Sequence, residues 1–349
     1  QHGDVVREAL SLFDLKADHE LSPGPRTESL GGLSARLLRK ADSLLARLNP
    51  DLVVIQGDTA STLAGALAGF FRGVPVAHVE AGLRTGDLAA PFPEEGNRRL
   101  VSQVASLHLA PTAAARANLA GEGILGARVV LTGNTVIDAL LAASAAAVPY
   151  DDEALEAFDA SDRPLVVVTA HRRESWGEPI GHIGRAIARL AWRNPDHRFV
   201  VAAHMNPAVR DVLEEHFLGC PNTYLPGPIA YGPFTRLLRR ATLVVTDSGG
   251  IQEEASAFGL PVLVTRETTE RTESLDAGVA RLVGTDEDTI VSAVSELIDD
   301  RQAYAAMARV VHPYGDGAAG ERSAAACAWL LGLGDRPQDM SSTCPSGTL

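Results

Sequence analysis

The chain has 349 residues, 46% hydrophobic and 21% charged, which is length enough for two domains with separate cores and a globular composition. A formal net charge of −13 argues against non-specific binding to nucleic acid or an anionic membrane surface, so an anionic ligand needs local cations. Cys220, Cys327 and Cys344 lie too far apart for a disulfide framework or a metal-ligand spacing, which suits a reducing cytoplasm, and no apolar run approaches a membrane span.

In chain order, residues 5–12 form a short amphipathic helix. A doubly wound domain normally opens instead with a strand and a phosphate loop, so that strand and loop are expected upstream of Gln1. A Pro/Gly-containing loop over 15–32 leads into a helix over 33–48, which Asn49-Pro50 ends. Then come a strand over 52–56, a helix over 59–71, a strand over 75–79, a polar loop over 82–93 and a helix over 94–102. Strands over 107–110 and 129–131 enclose another helix, so the alternation predicts a parallel sheet. An Ala-rich helix over 136–147 closes a first Rossmann-like domain, 1–147, and the acidic stretch 148–163 reads as a linker.

A second alternating series follows, with strands over 165–169, 199–203, 243–246 and 261–264 and helices over 180–193, 207–217, 234–240 and 251–258. It predicts a second Rossmann-like domain over 164–311, so the fold class is α/β with two doubly wound domains. Residues 312–331 hold a Pro/Gly interruption and a last helix, and the Ser/Pro/Gly-rich residues 332–349 read as a disordered tail. Gly121 to Gly126 match G-x-G-x-x-G, but they follow a helix and precede a strand, the reverse of a dinucleotide site, and fit a helix C-terminus better. No nicotinamide, other cofactor or metal is expected.

Ligands of parallel sheets bind beyond the carboxyl ends of the strands. Applied to each strand, that rule collects Asp58 after the first strand, His78 and Glu80 with Arg84 around the second, and Glu94, Glu95, Asn97, Arg98 and Arg99 in the segment that follows. The second domain contributes His171, Arg172, Arg173, Glu174, His204 and the unit Asp247-Ser248-Gly249-Gly250-Ile251-Gln252-Glu253-Glu254. In that unit a strand turns through two glycines into a helix, whose unpaired N–H groups favour a phosphate, while a carboxylate one turn in can accept from ribose hydroxyls. Plainer roles exist for each residue: Asp58 as a helix N-cap, Glu94 and Glu95 as dipole partners worth about 0.3–1 kcal/mol, His78 as a core histidine, Arg172 and Arg173 as a solvated pair. They do not explain why every polar cluster falls after a strand and none at the opposite ends.

The series Gly57-Asp58-Thr59, His78-Val79-Glu80-Ala81-Gly82-Leu83-Arg84-Thr85, Pro93-Glu94-Glu95, Thr132 to Asp138, His171-Arg172-Arg173-Glu174, Asp247 to Glu254 and Thr268-Thr269-Glu270-Arg271 resembles the non-hydrolysing UDP-N-acetylglucosamine 2-epimerases. The motifs run in the family's order from Gln1 to about Gly317. The resemblance implies two domains of the glycosyltransferase-B type with the active site in the cleft between them, and a last helix packing back on the first. It also implies a cytoplasmic homodimer, with a UDP-sugar substrate, that supplies UDP-N-acetylmannosamine for cell-surface polysaccharide. Asp58, Glu80, Glu94 and His171 are the catalytic candidates it marks. Arg84, Arg172, Phe234, Ser248, Gly249, Gly250, Glu254 and Arg271 are the substrate-binding ones, and Gln1, His2, Arg36 and His204 mark a regulatory UDP-sugar site.

Three departures stand out: the first strand with its cationic loop is absent, Ile229 replaces a glutamine near the uracil, and Gly3-Asp4 replace a longer polar pair. The C2 hydrogen of the sugar adjoins no carbonyl, and no nicotinamide motif is present, so elimination of UDP and its re-addition, with the proton returned to the opposite face of C2, is the chemistry that needs several carboxylates. A hydrolysing epimerase that releases N-acetylmannosamine and UDP, a glycosyltransferase of the same architecture and a non-catalytic UDP-sugar binder are the alternatives.

Overall fold

The computed structural model describes residues 3–21, 29–146, 148–170, 177–203, 206–269 and 271–341. Helices α1 (Gly3–Leu12) and α2 (Leu30–Leu48) open it, followed by β1 (Val53–Gln56), α3 (Ala60–Phe71), β2 (Val76–Val79), α4 (Glu94–Val104), β3 (Leu107–Ala110), α5 (Ala113–Gly121), β4 (Val129–Leu131) and α6 (Thr135–Ala145). Next come α7 (Glu153–Asp159), β5 (Leu165–Ala170), α8 (Glu178–Arg193), β6 (Arg198–Ala203), α9 (Pro207–Phe217), β7 (Thr223–Tyr224), α10 (Tyr231–Arg240), β8 (Leu243–Thr246), α11 (Gly249–Ala257) and β9 (Val262–Val264). The chain continues through α12 (Thr272–Asp276), β10 (Ala280–Leu282), α13 (Glu287–Asp299), α14 (Arg301–Met307) and α15 (Ala319–Leu330).

The described residues form two units, one of Leu15–Asp138 with 314–341, the other of Asp4–Asp14 with Ala139–Pro313. In the first, β1 to β4 make a four-stranded sheet in sequence order, every pair parallel. Side chains alternate across the sheet: Ala77, Val79, Leu107, Leu109 and Val130 share a cluster with Ala326 of α15, while Ile55 and Val76 pack with Ala66 of α3 and Val101 of α4. Asn49 ends α2 in the left-handed conformation at φ 45°.

The second unit holds six parallel strands in the order β10-β9-β8-β5-β6-β7. The order reverses between β5 and β8, which is the topological switch point where open α/β sheets leave a crevice. Every residue of β5 is buried, as expected of a central parallel strand covered on both faces. Val166 and Val168 enter one core with Ile180, Ile183, Ile187 and Leu190 of α8; Leu165 and Val167 enter the other with Leu237 and Leu238 of α10.

Three boundaries differ from the sequence expectation. The stretch 148–163 is no plain linker, because Asp152 caps α7 through the Ala154 and Leu155 amides, and Tyr150 and Leu155 are buried in the second core. Helix α1 belongs with the second unit: a Cβ added to Gly232 would lie 3.1 Å from Leu12 Cδ1. Residues 335–341 of the tail are ordered, since Arg336 donates to the carbonyls of Ala127 and Val129, and Leu131 donates to Asp339 and accepts from Met340 N. Composition marked that tail as disordered because its order comes from the open edge of β4, not from its own residues. Residues 342–349 lie outside the described ones.

Candidate active site

In the first unit the polar residues converge on the turn after β1. Gly57 has φ 75°, and a Cβ added to it would lie 3.8 Å from Glu80 Oε2, so the Glu80 carboxylate rests against the residue before Asp58. Glu80 itself has φ 67°, a left-handed conformation that costs a residue with a Cβ on the order of 1–2 kcal/mol and that clusters at functional sites. Two residues on, Gly82 has φ 93° and an added Cβ would collide with the Ala115 carbonyl, so only glycine lets this loop cross α5.

His78 is fully buried and its Nε2 donates to the Gly57 carbonyl at 2.8 Å, which joins β2 to the turn carrying Asp58. Burial pushes the His78 imidazole down to about 4, and the charge of Arg84 adds to the effect against the opposing Gly57 bond and Asp58 charge. It is therefore a neutral core histidine. His108, its register neighbour on β3, is likewise held down at about 4 by burial and by His78.

Asp58 is not the cap of α3; Thr59 takes that position and accepts from Thr62 N. The Asp58 carboxylate goes to Arg98, 2.8 Å from Nη2, and its carbonyl accepts from Asn97 Nδ2 at 2.7 Å, so α4 holds it twice. Of the two glutamates opening α4, Glu94 is half-buried and Glu95 is completely buried. Glu95 accepts from the amides of Thr85 and Gly86 and from Arg98 and Arg99. Burial alone would raise its carboxyl, but these four bonds together hold it below the usual range. Arg84 is taken up by both oxygens of Glu122, by Ser102 and by the Leu83 carbonyl, with a nearly buried side chain.

In the second unit β8 ends at Thr246; after Asp247, Ser248 holds the N-cap position of α11 with extended backbone, yet its hydroxyl makes no capping bond. Gly249 is buried; Gly250 is exposed with open space where a Cβ would stand. The end of β5 lies alongside, with Thr169 Oγ1 and Thr246 Oγ1 2.6 Å apart. Arg271 Nε donates to the buried Glu253 at 2.8 Å, and Thr269 ties the same loop to Gln252. Tyr231 donates to Glu254, whose carboxyl burial pushes up to about 7 against that hydrogen bond and with the help of the Glu253 charge. Phe234, half-buried on α10, packs on the same core as Ile229.

His171, Arg172, Gln1, His2 and His204 lie outside the described residues. Arg36 on α2 lines a cavity of about 610 Å³ with Arg39, Lys40, Arg47 and His19. Among the described residues no group of His, Cys, Asp and Glu is placed to hold a metal ion, and no helix is long and apolar enough to cross a membrane. Sequence reasoning passed over Tyr231 and the separate roles of Glu95 and Arg98; the i,i+3 spacing of the last two on a helix was the available signal.

A family model described as UDP-N-acetylglucosamine 2-epimerase matches residues 1–328. The chain belongs to the UDP-N-acetylglucosamine 2-epimerase family. A family member of Ralstonia nicotianae, named probable UDP-N-acetylglucosamine 2-epimerase, is 44% identical over 327 residues, 92% of this chain and 87% of its own. Among solved structures, an S. aureus MnaA–UDP co-structure superimposes with a TM-score of 0.88 at 37% identity, covering 98% of this chain and 90% of that one. The UDP-N-acetylglucosamine 2-epimerase of Neisseria meningitidis bound to UDP-GlcNAc gives 0.85 at 38% identity over 95% of this chain and 90% of that one. With two parallel sheets matching these structures, the chain has an α/β fold of the glycosyltransferase-B type.

Proposed function

We propose that this protein interconverts UDP-N-acetylglucosamine and UDP-N-acetylmannosamine without hydrolysing them, by elimination of UDP and its re-addition. The observation that carries this reading is the placing of two carboxylates at the turn after β1, where Glu80, on a left-handed backbone, rests against Gly57, the residue before Asp58. Relatives solved with UDP and with UDP-GlcNAc support the choice of ligand. A carboxylate takes the C2 proton, the C2–H electron pair becomes the C1–C2 double bond, and the C1–O bond breaks with its electrons leaving on UDP. The reverse steps, with the proton delivered to the other face of C2, give the epimer, so two acid/base groups are needed.

Asp58, Glu80 and Glu94 are the acid/base set in this reading. Ser248 and the α11 N-terminus would take the diphosphate, Glu254 the ribose and Phe234 the base, with His171, Arg172 and Arg271 meeting the charge that grows on departing UDP. A cytoplasmic homodimer serving cell-surface polysaccharide belongs to the same proposal. Incubating the protein with UDP-GlcNAc in D2O and following C2 by NMR tests it. Deuterium should enter C2 as the mannosamine epimer appears and the sugar should stay on UDP. Epimer with its hydrogen retained would exclude elimination, and free N-acetylmannosamine would place the protein with the hydrolysing enzymes.

A further inference from the structure

We propose that Arg98, anchored by Glu95, is a positioning residue that fixes which oxygen of Asp58 handles the proton. The inference rests on the reading of Asp58 as an acid/base group. Arg98 has a side chain only 7% exposed, and it joins two carboxylates: Nη2 and Nε lie 2.8 and 3.0 Å from Asp58 Oδ2, and Nη1 lies 3.1 Å from Glu95 Oε2. Both bonds to Asp58 fall on Oδ2. Among the described residues Oδ1 takes no hydrogen bond, so the guanidinium occupies one oxygen and leaves the other for chemistry.

Glu95 is the anchor because all its acceptor capacity is spent inside the protein: Oε2 on Thr85 N and Arg98, Oε1 on Gly86 N and Arg99. A buried carboxylate with four donors has no reason to exchange a proton. As a stability device such a triad is weak, since desolvation cancels most of the Coulomb gain and apolar residues of the same volume do as well. What it supplies is orientation, because a planar fork held on one carboxylate can aim a second. The helix carrying the triad begins with Glu94, and its Asn97 holds the Asp58 carbonyl. One rigid element thus sets the places of two of the three proposed proton carriers.

The test is a double-mutant cycle on the full chain with Arg98→Met and Asp58→Asn, following turnover, KM, UDP affinity and deuterium entry at C2. Arg98→Met should lower kcat roughly 10- to 100-fold while UDP affinity changes by less than about 3-fold, and it should cost almost nothing further in the Asp58→Asn background. Arg98→Lys should recover only part of the loss, because an ammonium cannot bridge both carboxylates in the fork geometry. An equal cost of Arg98→Met in both backgrounds would overturn the proposal, since a merely structural role does not depend on Asp58. If Arg98→Met fails to fold, Arg98→Lys with native amide protection carries the test, and wild-type turnover in it would overturn the proposal. Wild-type turnover in Asp58→Asn would instead defeat the underlying reading of Asp58, whatever Arg98 does.

Discussion

Glu95 accepts four hydrogen bonds with none of its surface exposed, while its neighbour Glu94 stays half-buried at the helix start. In the proposed mechanism that contrast sorts proton carriers from anchors at the residue scale. Asp58→Asn and Glu80→Gln should each lower turnover by roughly 10²-fold or more, with UDP affinity little changed, because each keeps its shape and loses only acid/base capacity. Parallel losses of turnover and UDP binding, measured by steady-state kinetics and calorimetry, would mean that these side chains hold the nucleotide or the fold. Glu254 gives a pH prediction. Burial raises its folded pKa to about 7, so the stability tied to its protonated form is fully present below about 4.5 and is lost as pH rises through about 7. Glu254→Gln cannot ionise there. Urea unfolding of the unliganded protein should therefore show the glutamine variant gaining up to about 3 kcal/mol on wild type between pH 5 and pH 8. A difference that does not move with pH would show that Glu254 ionises in the folded protein as it does in water.

Among the elements, the ordered segment 335–341 behaves as a strap along β4. Arg336 and Asp339 provide it with bonds to Ala127, Val129, Leu131 and Arg116, and Met340 is buried at its end. Truncation after Gly334 should remove these bonds, speed amide exchange in β4 and destabilise the first unit by roughly 1–3 kcal/mol. Unchanged exchange at Leu131 would show that the strap contributes nothing to that edge. Helix α7 teaches a similar lesson: the acidic composition of 148–163 hides an Asp152 cap and apolar residues, Leu155 and Phe158, at helical spacing.

At the scale of the whole molecule, two sheets with their own cores predict two regions of separately measurable stability. If the α11 turn and Glu254 take UDP, ligand at about a hundred times its Kd should add about 2.7 kcal/mol of protection to amides of β5, β8 and β9. Amides of β1 to β4 should gain less. Hydrogen exchange with and without UDP reads this directly, and protection confined to β1 to β4 would move the nucleotide site to the first unit.

Alternating apolar runs and turns were enough to predict two parallel sheets from the sequence alone, because a strand buried on both faces, such as β5, is mostly apolar and its crossover must be a helix; the short edge strands β7 and β10 of the second sheet carried too little of that signal to be named. The polar residues at the strand ends could be read the same way, since a parallel sheet sends each of them to one edge. Sequence could not say which of Glu94 and Glu95 is spent on the backbone of Thr85 and Gly86, that Arg84 closes on Glu122, or that Arg98 reaches back 40 residues to Asp58. Each of those choices depends on which donors a side chain meets once it leaves water. Desolvation and hydrogen-bond geometry decide that, and both exist only after the chain has folded.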